Sequence, residues 1–153
     1  MGSAKMDSKT AKSETVSSYT ILSIPGIELP NSYKNLVFSK WLRSLRYGND
    51  YFKLIDSDSY YKTYHAFIDL LLHKPETLVR LAVLTEDNDV VLGFSVCRGN
   101  ILDYVHTHKD MRKQGIATSL VPSSSINTIT HLTKTGMSIW NSKLKDVLFN
   151  PFA

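Results

Sequence analysis

The chain has one cysteine, Cys97, among its 153 residues. That excludes an internal disulfide framework, and a four-cysteine zinc site with it. No uninterrupted apolar run approaches the roughly 20 residues of a membrane-spanning helix. The sequence is therefore read as one that does not cross a bilayer as a helix. Two glycine motifs of nucleotide binding are also missing. There is no G-x-G-x-x-G and no G-K-[ST], which excludes a Rossmann fingerprint and a P-loop. Dense basic runs interleaved with aromatics, common in nucleic-acid binders, are lacking as well, and the basic runs are as short as Arg112-Lys113. The N-terminus, MGSAKMDSKTAKSETVSS, carries no apolar stretch of the signal-peptide kind. The expectation is a cytoplasmic protein in a reducing compartment. Met1–Lys5 reads as an appended leader before a natural start at Met6.

What remains is ordinary globular material, 42% hydrophobic and 21% charged. It divides into a flexible tail over 1–18 and one domain over 19–153. The formal net charge of +4 conceals a pattern. Residues 1–49 carry 7 basic and 3 acidic side chains, residues 50–97 carry 4 and 8, and residues 98–153 carry 7 and 3. The middle is acidic and the last third basic. A small phosphorylated ligand suits this charge better than a polynucleotide does.

Periodicity gives the elements. Tyr19–Leu29 reads as a strand bent or broken at Pro25-Gly26. Pro30-Asn31-Ser32 starts a helix with Leu36, Phe38, Trp41, Leu42 and Leu45 at helical spacing, closed by Gly48-Asn49. A second helix begins near Asp56-Ser57-Asp58. Its apolar face is Tyr60, Tyr61, Tyr64, Phe67, Ile68, Leu71 and Leu72, and His73-Lys74-Pro75 ends it. Leu78–Thr85, Val90–Arg98 and Ile101–His108 read as three strands, joined by polar turns at Glu86–Asp89 and Gly99-Asn100. A short helix follows Gln114-Gly115 and stops at Pro122. Ile126–Leu132 is a strand, Thr135–Lys145 a helix and Val147–Phe152 a last strand.

The stretch Thr107–Ala117, THKDMRKQGIA, leaves a strand and opens a helix. Gly115 lets the backbone bend closely round a ligand, because it has no Cβ. The first N–H groups of the helix lack intrahelical partners and carry the positive end of its dipole. Arg112 and Lys113 add full charges. The combination is an anion site suited to a pyrophosphate. The other reading of the same residues is a solvated loop before a helix.

These residues resemble the GNAT superfamily of acetyl-CoA-dependent N-acyltransferases. Arg112-Lys113-Gln114-Gly115-Ile116-Ala117 fills the family's [RQ]-x-x-G-x-[GA] pyrophosphate motif without a gap, after Thr107-His108-Lys109-Asp110-Met111. Val90-Val91-Leu92-Gly93-Phe94 is similar to the family's upstream Gly-Phe strand. The resemblance is strong over Leu78–Leu120 and weaker elsewhere. It implies an α/β (α+β) fold, a mixed, mostly antiparallel sheet flanked by helices in the order β-α-α-β-β-β-α-β-α-β. In such a fold the strands Ile101–His108 and Ile126–Leu132 run parallel and splay apart. The pantetheine arm lies in that gap against the backbone of Val105 and Thr107. The implied cofactor-binding residues are Val105, Thr107, Arg112, Lys113, Gln114, Gly115, Ile116, Ala117 and Thr118.

Three features depart from the family. Pro122 shortens the helix after the motif. Trp140 stands about where relatives carry a Tyr that protonates the leaving thiolate, and an indole delivers no such proton. Only one strand follows the last helix, which suggests a truncated edge or a strand exchanged in a homodimer. The implied activity is N-acetyl transfer from acetyl-CoA, with no metal, to a small-molecule or protein amine. The acceptor remains open among a protein N-terminus, a lysine, a polyamine, an antibiotic and a nucleotide sugar, with the acidic middle favouring a cation. The alternatives are a non-catalytic GNAT-like binding protein, which Trp140 supports, and, third, a nucleic-acid binder using the basic C-terminal third.

Three side chains are candidates for the base that deprotonates the amine. Asp103 is the acid on the strand before the motif, and it reads equally as a surface acid near the turn. His106 and His108 are the other two, since imidazole is a side chain suited to proton transfer near neutral pH, and they share a face of the strand. As His-x-His they also suggest a metal site, but no third ligand is placed nearby. His65, His73 and His131 carry no such context. Cys97 reads as core, and the aromatic helix face as packing that in part borders the acceptor cleft.

Overall fold

Pro25 and Gly26 end the first strand. β1 covers Tyr19–Pro25, and Gly26–Glu28 forms one turn of 3-10 helix. This computed structural model describes residues 18–108, 115–121, 125–133 and 146–153. Three helices follow β1: α1 (Asn31–Tyr47), α2 (Asp50–Lys53) and α3 (Ser57–Leu72). Next come β2 (Thr77–Leu84), β3 (Asp87–Arg98) and β4 (Ile101–Thr107). Helix α4 (Ile116–Leu120) and strands β5 (Thr128–Ile129) and β6 (Leu148–Phe149) are the remaining elements among the described residues. Most of the expected tail, the segment 109–114 and the helix expected over Thr135–Lys145, with Trp140, lie outside the described residues.

The six strands form one sheet in the order β1-β2-β3-β4-β5-β6. β1 to β4 are antiparallel neighbours, and β4, β5 and β6 run parallel. This is the mixed, mostly antiparallel sheet the sequence implies. The differences lie at turns and ends. The β2–β3 turn is Thr85-Glu86, so β3 already begins at Asp87. Asp87, Asn88 and Asp89 are exposed there, so their polar side chains cost the strand nothing. α2 is a single turn that the sequence pattern passes over. β5 and β6 span two residues each, shorter than the runs Ile126–Leu132 and Val147–Phe152 suggest.

The helices follow from their apolar stripes. α1 buries Val37, Phe38, Trp41, Leu42 and Leu45, and α3 buries Tyr60, Ile68, Leu71 and Leu72. Asp56 caps α3, accepting from the Ser59 N–H at 3.0 Å and the Ser59 hydroxyl at 3.1 Å. Those two bonds hold its carboxyl below the usual carboxylate range.

Strand alternation distributes the sheet's side chains between two faces. Val79, Leu81, Val83, Phe94, Val96 and Tyr104 pack under α1 and α3. Ala82 and Leu92 meet Ile116 and Leu120 of α4 on the other face. A third cluster of Cys97, Leu102, Val121, Ile126, Ile129 and Val147 closes around β4–β6. Cys97 is core, as the sequence suggests, and burial pushes its thiol up.

Gly93 sets the closeness of β3 and β4. A Cβ there would lie 2.7 Å from the His106 carbonyl oxygen and 3.2 Å from both Thr107 Cα and Leu120 Cδ1. The atom in conflict is backbone, so the two strands have to part. Gly93→Ala is expected to lose about 1–3 kcal/mol of stability. Urea denaturation of the variant checks this, and wild-type stability would contradict it.

Candidate active site

β4 is the strand on which the site is built. Its register with β3 pairs Ser95 with Val105 and Val96 with Tyr104, then jumps to Cys97 with Leu102. Asp103 is thereby the extra residue of a β-bulge, which re-aims its side chain. That side chain is fully buried. Its carboxylate accepts from Arg98 Nε at 2.6 Å and Arg98 Nη2 at 2.8 Å, a bidentate ion pair. A third donor, the Thr130 hydroxyl, lies 2.9 Å from Oδ1. The pairing with Asp103 pushes the Arg98 guanidinium's pKa up. Asp103 thus sits inside a satisfied polar cluster, with both oxygens engaged.

The other two base candidates lie further along β4. His106 is half-buried opposite Phe94, the two ring centroids 5.7 Å apart. His108 is exposed, and its backbone N–H donates to the Leu92 carbonyl at 2.8 Å. Both side chains line a small hollow with Leu36 and Lys40 of α1. The structure brings the two histidines together and places the Asp103 carboxylate elsewhere, between Arg98 and Thr130.

The backbone of β4 has a direction as well. His108 bonds to Leu92, and in an antiparallel ladder such pairs recur at every second residue. The N–H and C=O groups of His106 and Tyr104 therefore point toward β3, and those of Val105 and Thr107 toward the β5 side. The β4–β5 pairing runs from Ile101 with Thr128 to Leu102 with Ile129. Its last described rung is the Thr130 N–H on the Leu102 carbonyl, while β4 continues to Thr107.

At the far end of β4, Gly115 opens α4 with φ +80° and ψ 0°. This is the left-handed region, which glycine adopts without a Cβ penalty. Among the described residues, an added Cβ would meet nothing within 4 Å. Ile116 is buried and anchors the turn, Ala117 is half-buried and Thr118 is exposed. Arg112, Lys113 and Gln114 lie outside the described residues.

The aromatic face of α3 divides in two. Tyr60 and Tyr61 sit beneath the Arg46 guanidinium, 5.1 and 5.9 Å from ring centroid to Cζ. Arg46 is buried and donates from Nη2 to the Ile55 carbonyl at 3.0 Å. Tyr64 and Phe67 instead face His131, with centroids 6.2 and 5.3 Å away. Trp41 stacks on Tyr104 at 4.9 Å and meets His131 edge-on at 6.1 Å. The Ser44 hydroxyl donates to the Lys40 carbonyl at 2.6 Å, so at 2.6 Å from Tyr104 it accepts the phenolic proton.

Sequence reasoning passes over two residues of this site. Arg98 was legible in principle. It stands beside the two-residue turn Gly99-Asn100, which makes Asp103 its diagonal cross-strand neighbour. His131 left no such signal, because it follows a strand of two residues and is placed by long-range packing.

No protein-family profile matches the chain, and no curated protein is similar to it in sequence. Solved structures do match. A Pyrococcus furiosus protein assigned as an acetyl transferase superposes with a TM-score of 0.50 at 20% identity, covering 67% of this chain and 68% of its own. The aminoglycoside acetyltransferase meta-AAC0020 from an uncultured soil metagenomic sample, solved with trehalose, gives 0.49 at 11% identity over 85% and 88%. The enzyme AAC(6')-Iy, bound to the bisubstrate analogue CoA-S-monomethyl-acetylneamine, gives 0.46 at 11% over 86% and 90%.

Proposed function

We propose, on the premise that the chain has the GNAT fold, that it transfers an acetyl group from acetyl-CoA to the nitrogen of an amine. The observation that carries this reading is the passage from β4 to α4. β4 carries Val105 and Thr107 toward that turn, and Gly115 then opens a helix in a left-handed conformation directly after Arg112-Lys113-Gln114.

Acetyl-CoA enters as a substrate. The pantetheine arm pairs with the β5-side backbone groups of Val105 and Thr107. The pyrophosphate lies at the start of α4, where the N–H groups of Gly115, Ile116, Ala117 and Thr118 and the charges of Arg112 and Lys113 meet it, with Gln114 in the same turn. The thioester is thereby directed toward the Asp103 bulge. The amine lone pair attacks the carbonyl carbon, the C–N bond forms, and the C–S bond breaks to release the thiolate. A free thiol's pKa is roughly 8.5, so the thiolate departs and takes its proton from water without a tyrosine acid. That accords with Trp140 in the sequence.

An ammonium has no lone pair, so a base must first remove its proton. Asp103 is engaged by Arg98 and Thr130 and serves the site as a positioning residue. His106 and His108 face the hollow beside α1, at the end of β4 assigned to the cofactor. The acceptor is an amine, cationic before transfer, as the acidic middle of the sequence favours.

Thermal denaturation tests the cofactor half of this reading. A ligand at 100 times its Kd stabilises by about 2.7 kcal/mol, and each kcal/mol raises the Tm of a domain this size by about 2–4 °C. Acetyl-CoA and CoA are expected to raise Tm by several degrees, and pantetheine at the same concentration by much less. No shift with acetyl-CoA would contradict the reading. A steep, salt-dependent affinity for DNA would replace it with nucleic-acid binding.

A further inference from the structure

We infer that His131 is the base that deprotonates the acceptor amine, held in one tautomer by a chain of polar side chains beginning at Arg98. The inference deepens the acetyl-transfer reading and rests on it.

The chain is continuous. Arg98 donates twice to the Asp103 carboxylate, and the Thr130 hydroxyl donates to Asp103 Oδ1 at 2.9 Å. A hydroxyl has one proton, and Thr130 spends it on Asp103. Toward its other neighbour, His131 Nδ1 at 2.9 Å, the Thr130 oxygen acts as an acceptor. Nδ1 must therefore carry the hydrogen, and Nε2 keeps its lone pair. The arrangement fixes an imidazole from behind and leaves the opposite nitrogen basic.

The surroundings keep the ring neutral until it is used. Burial, the largest influence, pushes the His131 pKa down. Asp103 opposes that, through its charge and through a hydrogen bond from the ring to its backbone carbonyl, and Arg98 adds to it; the two charges are already paired with each other. From α3 the ring meets Phe67 and Tyr64, whose phenol burial pushes up and so holds neutral. From α1 it meets the uncharged Trp41.

The position is the one the reaction needs. His131 directly follows Thr130, whose N–H forms the last described rung to β4. It therefore stands at the Asp103 bulge, toward which the proposed thioester points, whereas His106 and His108 lie further along β4 toward α4. The ring is half-buried, among side chains of the two helices that cover this face of the sheet. In the reaction, Nε2 takes one proton from the ammonium and the freed lone pair attacks the thioester carbon. The nitrogen's second proton passes through solvent to the departing thiolate sulfur. The imidazolium, stabilised by Asp103 through Thr130, then returns its proton to water.

Two measurements on the full chain test this together. Imidazole ¹⁵N–¹H correlation spectra are expected to show His131 with hydrogen on Nδ1, titrating below the ordinary histidine value of about 6.5. Thr130→Val should lose that tautomer preference, and Thr130→Ser should keep it. In a pH–rate series with an amine that wild type acetylates, His131→Gln should lower kcat/KM by about 10²–10⁴-fold at neutral pH. Its rate should recover only as the amine loses its own proton, with acetyl-CoA affinity unchanged, while His106→Gln keeps the wild-type acidic limb. Hydrogen on Nε2, or an acidic limb retained in His131→Gln while wild type turns over, would overturn the base assignment alone. A wild-type protein that acetylates no amine in a broad panel would overturn the transfer reading and this assignment with it.

Discussion

Asp103→Ala is expected to lower the unfolding free energy by about 3–5 kcal/mol. The wild-type carboxylate is fully buried, and the Arg98 side chain is 9% exposed. Removing the acid leaves a guanidinium in that environment without its bidentate partner, and it leaves the Thr130 hydroxyl without its acceptor. The loss measures an uncompensated charge rather than the net worth of the pair. Replacing both members by apolar residues of similar volume, Arg98→Met with Asp103→Leu, should therefore recover most of the stability. Urea denaturation of the two single variants and the double variant measures the pattern. An Asp103→Ala protein as stable as wild type would contradict this picture of the bulge.

Gly115→Val is expected to raise the Kd for acetyl-CoA by at least about 100-fold, equivalent to about 2.8 kcal/mol. Two effects contribute. At φ +80° an L side chain costs roughly 1–2 kcal/mol, and a β-branched one fits worst of all. The added side chain also enters the space at the start of α4, where the pyrophosphate is proposed to sit. Gly115→Asn separates these effects, because Asn tolerates the left-handed region. It should fold with near wild-type stability and still bind weakly. Calorimetric titration reads both variants, and wild-type affinity in Gly115→Val would contradict the assignment of this turn to the cofactor.

Local pattern was enough for the frame of the molecule. The helical spacing of Phe38, Trp41, Leu42 and Leu45, the Gly99-Asn100 turn and the Pro30 helix start each correspond to an element of the structure. These signals are short-range, and each is set by residues adjacent in sequence. The site was legible only in part. Gly115 announced its turn because a left-handed residue before a helix needs a particular side chain, namely none. Asp103 was visible as an acid on the strand before the motif, but its surroundings were not. The bulge that turns it toward Arg98 depends on the register of β3 against β4, and Thr130 approaches from just past β5, 27 residues away. His131 was illegible for the same reason, since its meaning comes from Thr130 behind it and from Trp41, Tyr64 and Phe67 around it. The aromatic run on α3 looked uniform in sequence. In the fold, the cation of Arg46 takes Tyr60 and Tyr61, and His131 takes Tyr64 and Phe67.

The most direct measurement of the central claim is incubation of the protein with acetyl-labelled acetyl-CoA and a mixed panel of amines, read by mass spectrometry. The panel should span polyamines, aminoglycosides, arylalkylamines, amino sugars and peptides with free N-termini or lysines. The account predicts that label appears as an N-acetyl group on at least one amine, with CoA released in equal amount. It also predicts that the rate falls in Gly115→Val. Saturable binding of acetyl-CoA with no amine labelled above the protein-free rate would contradict it and leave a GNAT fold that binds without transferring.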